Sequence, residues 1–239
     1  MLNENSPFSL YYQLKQILIK KIKDNEWKVD SKIPTERELC TLYNVSRITV
    51  RQALEELAKE GYLYRKQGKG TFVTLPQIEQ RLNKFYSFSE EIRNLGLSAE
   101  TKIIDFRTIV DNGDIAEILG LEKHQKIYAV SRLRLADKEP FTFETSYIPF
   151  DMVEGLSKEE VENYGLYNTL KNTFNIVPDE ATETFEAIIV PNDCISHLKV
   201  KKNSAALKIE RVTKAQERVV EYCVSIIRGD RYKYKVYLK

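Results

Sequence analysis

Arg47 and Arg51 stand four residues apart, one helical turn, and the triplet Gly68-Lys69-Gly70 follows soon after. Guanidinium groups side by side on a helix can each donate two parallel hydrogen bonds to O6 and N7 of a guanine. A turn rich in glycine allows positive φ and close backbone approach to a partner. Farther along, Arg132 and Arg134 alternate in one strand-like run, and Thr142, Glu144 and Ser146 alternate in the next. Period-two geometry puts each set on one face of its strand, and a turn centred on Lys138 sets Arg132 opposite Glu144 and Arg134 opposite Thr142. Such a face is either an exposed cross-strand ion pair worth about 0.2 to 1 kcal/mol, or an anion pocket. In the pocket, paired guanidinium groups take a phosphate or carboxylate and Glu144 takes ligand hydroxyls.

Elements at the right spacing surround both sets. Thr35 and Glu38 form a capping box, which starts a helix whose buried side is Leu39, Leu42 and Tyr43. Tyr43-Asn44-Val45 has room only for a turn, and Ser46 is a good N-cap for a second helix with Val50, Ala53, Leu54 and Leu57 as its core stripe. Arg47 and Arg51 fall off that stripe. Gly61 supplies a left-handed stop, and residues 62–65 and 71–73 read as two strands around Lys66-Gln67-Gly68-Lys69-Gly70. Upstream, Leu10, Tyr11, Leu14, Ile17, Leu18 and Ile22 predict an amphipathic helix over residues 8–23. The unit is a helix, then helix, turn, helix and wing, a layout that places a helix in a DNA groove.

The rest of the chain reads as a second domain. Leu75-Pro76-Gln77 breaks the strand pattern, so residues 1–74 form one domain, 75–83 a linker and 84–239 the other. Strand-like runs at 101–109, 127–135, 141–148, 181–190, 205–214, 219–227 and 232–238 alternate with helical ones at 87–95, 113–119, 158–173 and 192–199. Tight turns such as Asp137-Lys138-Glu139 join the strands, which predicts an α+β domain with a mainly antiparallel sheet and no internal repeat.

The net charge of +2 over 239 residues is small for a nucleic-acid binder until it is divided. Residues 1–74 carry 13 Lys and Arg against 9 Asp and Glu, a net of +4, and the remainder carries 24 against 26, a net of −2. Basicity sits with the helix-turn-helix, and because +4 is modest, two copies in a homodimer reading two half-sites are expected. No run of 18 apolar residues exists and the N-terminus lacks a signal-peptide pattern, so a cytoplasmic protein without membrane contact is expected. Cys40, Cys194 and Cys223 have no metal-ligand spacing and read as reduced core thiols. His124 and His197 stand alone, and neither a nucleophile elbow nor a Gly-rich phosphate loop is present. No enzyme, metal or cofactor is expected.

Pro34-Thr35-Glu36-Arg37-Glu38-Leu39, Ser46-Arg47-Ile48-Thr49-Val50-Arg51-Gln52-Ala53-Leu54, Gly61 and Gly68-Lys69-Gly70-Thr71-Phe72-Val73 together resemble the GntR family of bacterial transcription regulators. The resemblance covers about residues 8–74. It implies that Arg37, Arg47 and Arg51 meet bases or phosphates in the major groove and that the wing glycines, Gly68 and Gly70, enter the minor groove, with Lys69 between them also a DNA contact. Thr35, Ser46 and Thr49 then become phosphate contacts, which position without reading sequence.

Ser131-Arg132-Leu133-Arg134, Pro140, Glu144, Ile148-Pro149-Phe150, Leu166-Tyr167 and Arg228-Gly229-Asp230-Arg231-Tyr232 are similar to the effector (UTRA) domain of the HutC-type branch. That resemblance implies a chorismate-lyase-like fold binding a small metabolite, often a sugar phosphate or amino-acid derivative. Its contacts would be Arg132, Arg134, Glu144, Tyr167 and Glu221, with Ser87-Phe88-Ser89 at a helix start suited to an anion. Gly165 stands where sugar-phosphate-sensing members carry serine, and its backbone N–H is the group left to serve there. Asp230 and Arg231 read as structural. The expectation is a metabolite-responsive repressor in which effector binding re-aims two winged helices through the linker. The competing classes are an enzyme of chorismate-lyase-like fold and a ligand-independent DNA-binding protein.

Overall fold

Helix α1 (Leu10–Lys23) buries Leu14, Leu18 and Ile22, which recur at helical spacing along one side. The computed structural model describes residues 2–3, 6–24, 26–74, 78–81, 92, 97–111 and 113–235. The chain divides into two units, Met1–Gln77 and Ile78–Lys239. In the first, α1 packs with α2 (Glu36–Tyr43) and α3 (Arg47–Lys59) around Leu39, Val50, Ala53, Leu54 and Leu57. The capping box forms: Thr35 Oγ1 accepts from the Glu38 N–H at 3.3 Å while the Thr35 N–H donates to Glu38 Oε2 at 2.7 Å. Asn44 ends α2 in the left-handed region, and the Ser46 hydroxyl caps α3 through the Thr49 N–H at 3.2 Å. Leu42, expected on the buried side of α2, is 63% exposed, because an eight-residue helix turns only a narrow stripe inward. Strands β1 (Leu63–Lys66) and β2 (Gly70–Val73) make the wing.

The second unit is a six-stranded antiparallel sheet in the order β4-β5-β6-β9-β8-β7. Its strands are β4 (Ala99–Val110), β5 (Lys126–Ala136), β6 (Glu139–Pro149), β7 (Glu180–Ile189), β8 (Ala205–Ala215) and β9 (Arg218–Arg228). A repeat invisible in sequence identity emerges. β4, the helix Asp114–Ile118, β5 and β6 are matched by β7, the helix Cys194–Leu198, β8 and β9, with β6 and β9 meeting at the centre. Both hairpins turn on two residues of positive φ, Asp137-Lys138 and Gln216-Glu217. Each then bulges at the same place, skipping Phe141 in one and Val220 in the other. No repeat shows in the sequence because the likeness lies in backbone geometry, which different side chains support.

Two boundaries also differ. Residues 78–81, read above as linker, form β3 (Ile78–Arg81), paired in parallel with β10 (Tyr232–Lys235) of the same unit. No Gly or Pro interrupts Ile78-Glu79-Gln80-Arg81, so its backbone is free to complete a ladder. The single helix expected over 158–173 is two, Lys158–Tyr164 and Leu166–Phe174, broken at Gly165. Its φ of 81° and ψ of 153° lie in a region open essentially to glycine alone.

One face of the sheet packs on that helix pair through Ile103, Tyr128, Val130, Ile148, Val161, Leu166 and Leu170. Ser87, Phe88 and Ser89 lie outside the described residues, as does most of the helix expected over 87–95. Among the described residues, no helix is long and apolar enough to cross a membrane, and no cluster of three or more His, Cys, Asp or Glu could hold a metal ion.

Candidate functional site

The start of α3 presents its cations outward. The Arg47 side chain is 82% exposed and that of Arg51 65%, while Val50, between them in sequence, is buried. Arg47 Nε lies 3.5 Å from Glu36 and Arg51 Nε 3.1 Å from Glu55, one helical turn on. These loose, solvated pairs cost little to exchange for a phosphate or base. Thr35, Arg37 and Ser46 are exposed at the same end, with Thr49 half-buried and its hydroxyl 2.9 Å from that of Ser46. In the wing, Gly68, Lys69 and Gly70 are exposed, and Lys66 lies over the rings of Tyr64 and Phe72 at 5.2 and 5.0 Å. Gly70 has φ of 120°, and a Cβ there would meet Lys32 Cε at 2.5 Å.

Two residues of this surface escaped the sequence reading. Ile48 is 79% exposed beside Arg47, a large apolar side chain set outward on the helix. Arg65 of β1 shares Glu36 with Arg47, at 3.9 Å. A helix register count from Val50 would have found the first, since Ile48 is off the core stripe.

The second site lies on the sheet face beneath the helix Leu166–Phe174. Arg132 pairs with Glu144 in register and Arg134 with Thr142, as the spacing predicts. Both guanidinium groups nevertheless converge on one oxygen, with Arg132 Nη2 at 2.8 Å and Arg134 Nε at 2.9 Å from Glu144 Oε1. Arg134 also reaches across to Thr101 of β4 at 2.8 Å. From Arg132 the network continues to the Ser146 hydroxyl at 2.6 Å, from Ser146 to Glu221 of β9 at 2.5 Å, and from Glu221 to the Tyr167 hydroxyl at 2.5 Å. Thr213 and Arg211 of β8 join at Tyr167 and Glu221, and Arg211 binds Glu183 of β7 at 2.7 Å. Polar side chains thus run across all six strands.

This row is buried, with Arg132 3% exposed and Glu221 1%, so the exposed ion-pair reading does not hold. Burial works to raise the Glu144 carboxyl, but Arg132 and Arg134 beside it hold it below the usual carboxylate range. Burial and the Glu221 carboxylate push the Tyr167 phenol up, keeping it a donor. Burial, then Glu144 and Glu221, push the Cys223 thiol up to about 12. Arg132 Nε is buried with no hydrogen-bond partner. A donor left so is costly in a finished core and is what a ligand acceptor satisfies.

Gly165 does not serve as expected. Its N–H donates to Val161 O at 3.0 Å, closing the helix before it, and its carbonyl accepts from the Thr169 N–H and hydroxyl. The glycine is required by the chain break, and its donor is already used. Arg231 is 4% exposed with burial lowering it to about 10, and Asp230 pairs with Arg228 at 2.6 Å.

Residues 10–73 match the gntR family of bacterial regulatory proteins and residues 94–233 match the UTRA domain. The chain belongs to the GntR family and carries a UTRA domain. Among GntR relatives, the HTH-type transcriptional repressor NagR of Bacillus subtilis is 34% identical, the match covering 99% of this chain and 98% of that one. A probable fructoselysine utilization operon transcriptional repressor of Escherichia coli is 33% identical over 72% of each. The fold is that of PhnF from Mycobacterium smegmatis, at a TM-score of 0.72 and 24% identity, covering 96% of this chain and 98% of that one. The GntR assignment makes this chain one of a family of transcription regulators.

Proposed function

We propose that this GntR-family protein is a cytoplasmic, metabolite-responsive repressor, a homodimer whose two winged helices read operator half-sites and whose grip is set by a small anionic effector. A sugar phosphate is the class that the second site suits. Arginine donors would take its phosphate, while Glu221, Ser146 and Tyr167 would exchange their mutual hydrogen bonds for sugar hydroxyls. The observation that carries this is Arg132, buried in a network with Glu144, Ser146 and Glu221 yet holding an unpartnered Nε. The names of the relatives, repressors in both cases and of a sugar-derived operon in one, support it.

On the DNA side, Arg47 and Arg51 would read guanines, and Ile48 fits contact with a thymine methyl group. Thr35, Ser46, Thr49, Lys69 and the wing backbone would hold phosphates. The effector must bind the DNA-competent and DNA-incompetent states unequally, since equal affinity shifts nothing. Thermal shift with a series of hexose and hexosamine 6-phosphates tests the reading. A ligand at 100 times its Kd stabilises by about 2.7 kcal/mol, and no shift from any of them, or one that inorganic phosphate alone reproduces, would count against the sugar-phosphate class.

A further inference from the structure

The wing is wider than its two strands. Residues 30–33 run beside β2: the Asp30 N–H donates to Val73 O at 3.0 Å, the Val73 N–H to Ser31 O at 2.9 Å and the Ile33 N–H to Thr71 O at 3.0 Å, with Lys32 bridged to Phe72. Along this short ladder side chains alternate, so Ile33 is buried and Lys32 exposed. The Lys32 stem lies over Gly70, where an added Cβ would come within 2.5 Å of Lys32 Cε and 3.3 Å of its Nζ. Gly68 differs, since a Cβ there would meet nothing within 4 Å. Beside both glycines a cleft of about 320 Å³ is lined by Lys32, Thr35 and Glu36 and by Gly68, Lys69 and Gly70 of the wing. The Glu36 carboxylate is met by Arg47 and Arg65, at 3.5 and 3.9 Å. Among the described residues Lys32 forms no ion pair, whereas Lys15, Lys21 and Lys59 of the same unit each hold a glutamate.

We infer that Lys32 is a DNA contact of this protein: its ammonium, set over Gly70 at the cleft, takes a backbone phosphate, and Gly70 lacks a side chain to make room for it. The inference rests on the reading of α3 and the wing as the DNA surface and adds a residue to it. Three features separate Lys32 from a lysine that is merely solvated. Its backbone is tied into the wing ladder, its stem is laid along a residue without a side chain, and it shares a cleft with Thr35 and Lys69, which would also hold phosphates. A stem placed in advance loses less freedom when its head binds. An ammonium acts on a phosphate as a point charge and carries no base preference. The role of Gly70 changes accordingly. The space that a Cβ would take is filled by Lys32, so the close approach of DNA to the wing backbone falls to Gly68.

Fluorescence anisotropy of the full chain over a salt titration tests the inference, on a duplex that wild type selects from a random pool and on an unrelated duplex of equal length. Lys32→Ala is expected to weaken both by the same factor and to lower the slope of log affinity against log salt by about 0.9 for each winged helix bound, with Lys32→Arg close to wild type. An unchanged slope, or a loss confined to the selected duplex, overturns the contact. Replacing single phosphates of the selected duplex by neutral methylphosphonate is expected to find one in each half-site that weakens wild type and leaves Lys32→Ala unaffected, and finding none contradicts it. Gly70→Ala is expected to lower affinity in wild type and to add nothing in Lys32→Ala, whereas an equal loss in both backgrounds means that the glycine itself meets DNA. Should the φ of 120° make Gly70→Ala misfold, the Lys32 variants decide. A wild type that selects no sequence removes the DNA surface and the inference together, while selection with an unchanged slope in Lys32→Ala removes Lys32 alone.

Discussion

Replacing Arg132 by alanine removes the cation at the centre of the buried row. Its Nη2 is 2.8 Å from Glu144, 2.6 Å from Ser146 and 3.8 Å from Glu221, and the residue is 3% exposed. Glu144 would keep Arg134, and Glu221 the Ser146 and Tyr167 hydroxyls, but the row would lose a buried positive charge. Breaking a buried pair on one side costs about 3 to 5 kcal/mol, and at this size each kcal/mol moves the melting temperature by about 2 to 4 °C. The expected loss is roughly 6 to 20 °C in the calorimetric transition of the effector unit. The pH dependence has a definite sign. A carboxyl held low in the folded state contributes stability above its unfolded pKa, about 4.3, and loses it as pH falls through the folded value. Glu144 is such a group, so the deficit of Arg132→Ala should be largest near neutrality and shrink below about pH 4.5. Adding Glu144→Gln should recover stability, with a coupling of about 0.5 to 3 kcal/mol in the double-mutant cycle. A melting shift under about 2 °C, or additivity of the two substitutions, would refute the reasoning.

Arg51→Ala should weaken operator binding by about 1 to 3 kcal/mol and relax preference at one base pair, read by fluorescence anisotropy on operator and single-substitution duplexes. Ile48→Ser should cost affinity only where a thymine methyl is present, so replacing that thymine by uracil in the duplex should abolish the difference between variant and wild type. Gly165→Ala should destabilise the effector unit by about 1 to 3 kcal/mol in a thermal melt. A Cβ there would meet nothing within 4 Å, so the cost is backbone strain alone.

The DNA-binding unit was legible because its signals are local. A capping box, a turn at Tyr43-Asn44-Val45 and an N-cap serine each act within four residues of themselves. Pairing across the sheet was legible only in part. The Arg132 to Glu144 register follows from a turn centred on Lys138, yet the chain reaches it differently, by a two-residue turn at Asp137-Lys138 and a bulge past Phe141. In the β8 to β9 hairpin the same bulge shifts Thr213 from Val220 to Glu221, so counting from the turn would have put Glu221 on the wrong face. Arg211 and Glu183 were missed because they meet only through the β7 to β8 ladder, and Arg211 reaches Tyr167 on a helix far away in sequence. Gly165 was noticed for an absent side chain, whereas its backbone angles are what matter.

A ligand on the Arg132 and Arg134 face is proposed to control the hold of the winged helix on DNA. That control is tested most directly by operator affinity measured against increasing hexose 6-phosphate or hexosamine 6-phosphate, for wild type and for Arg134→Ala, whose side chain is 16% exposed at the rim of the network. One of these ligands is expected to shift wild-type operator affinity by at least tenfold, about 1.4 kcal/mol, and to leave the variant's affinity, unchanged without ligand, where it was. A full ligand response in Arg134→Ala would contradict it.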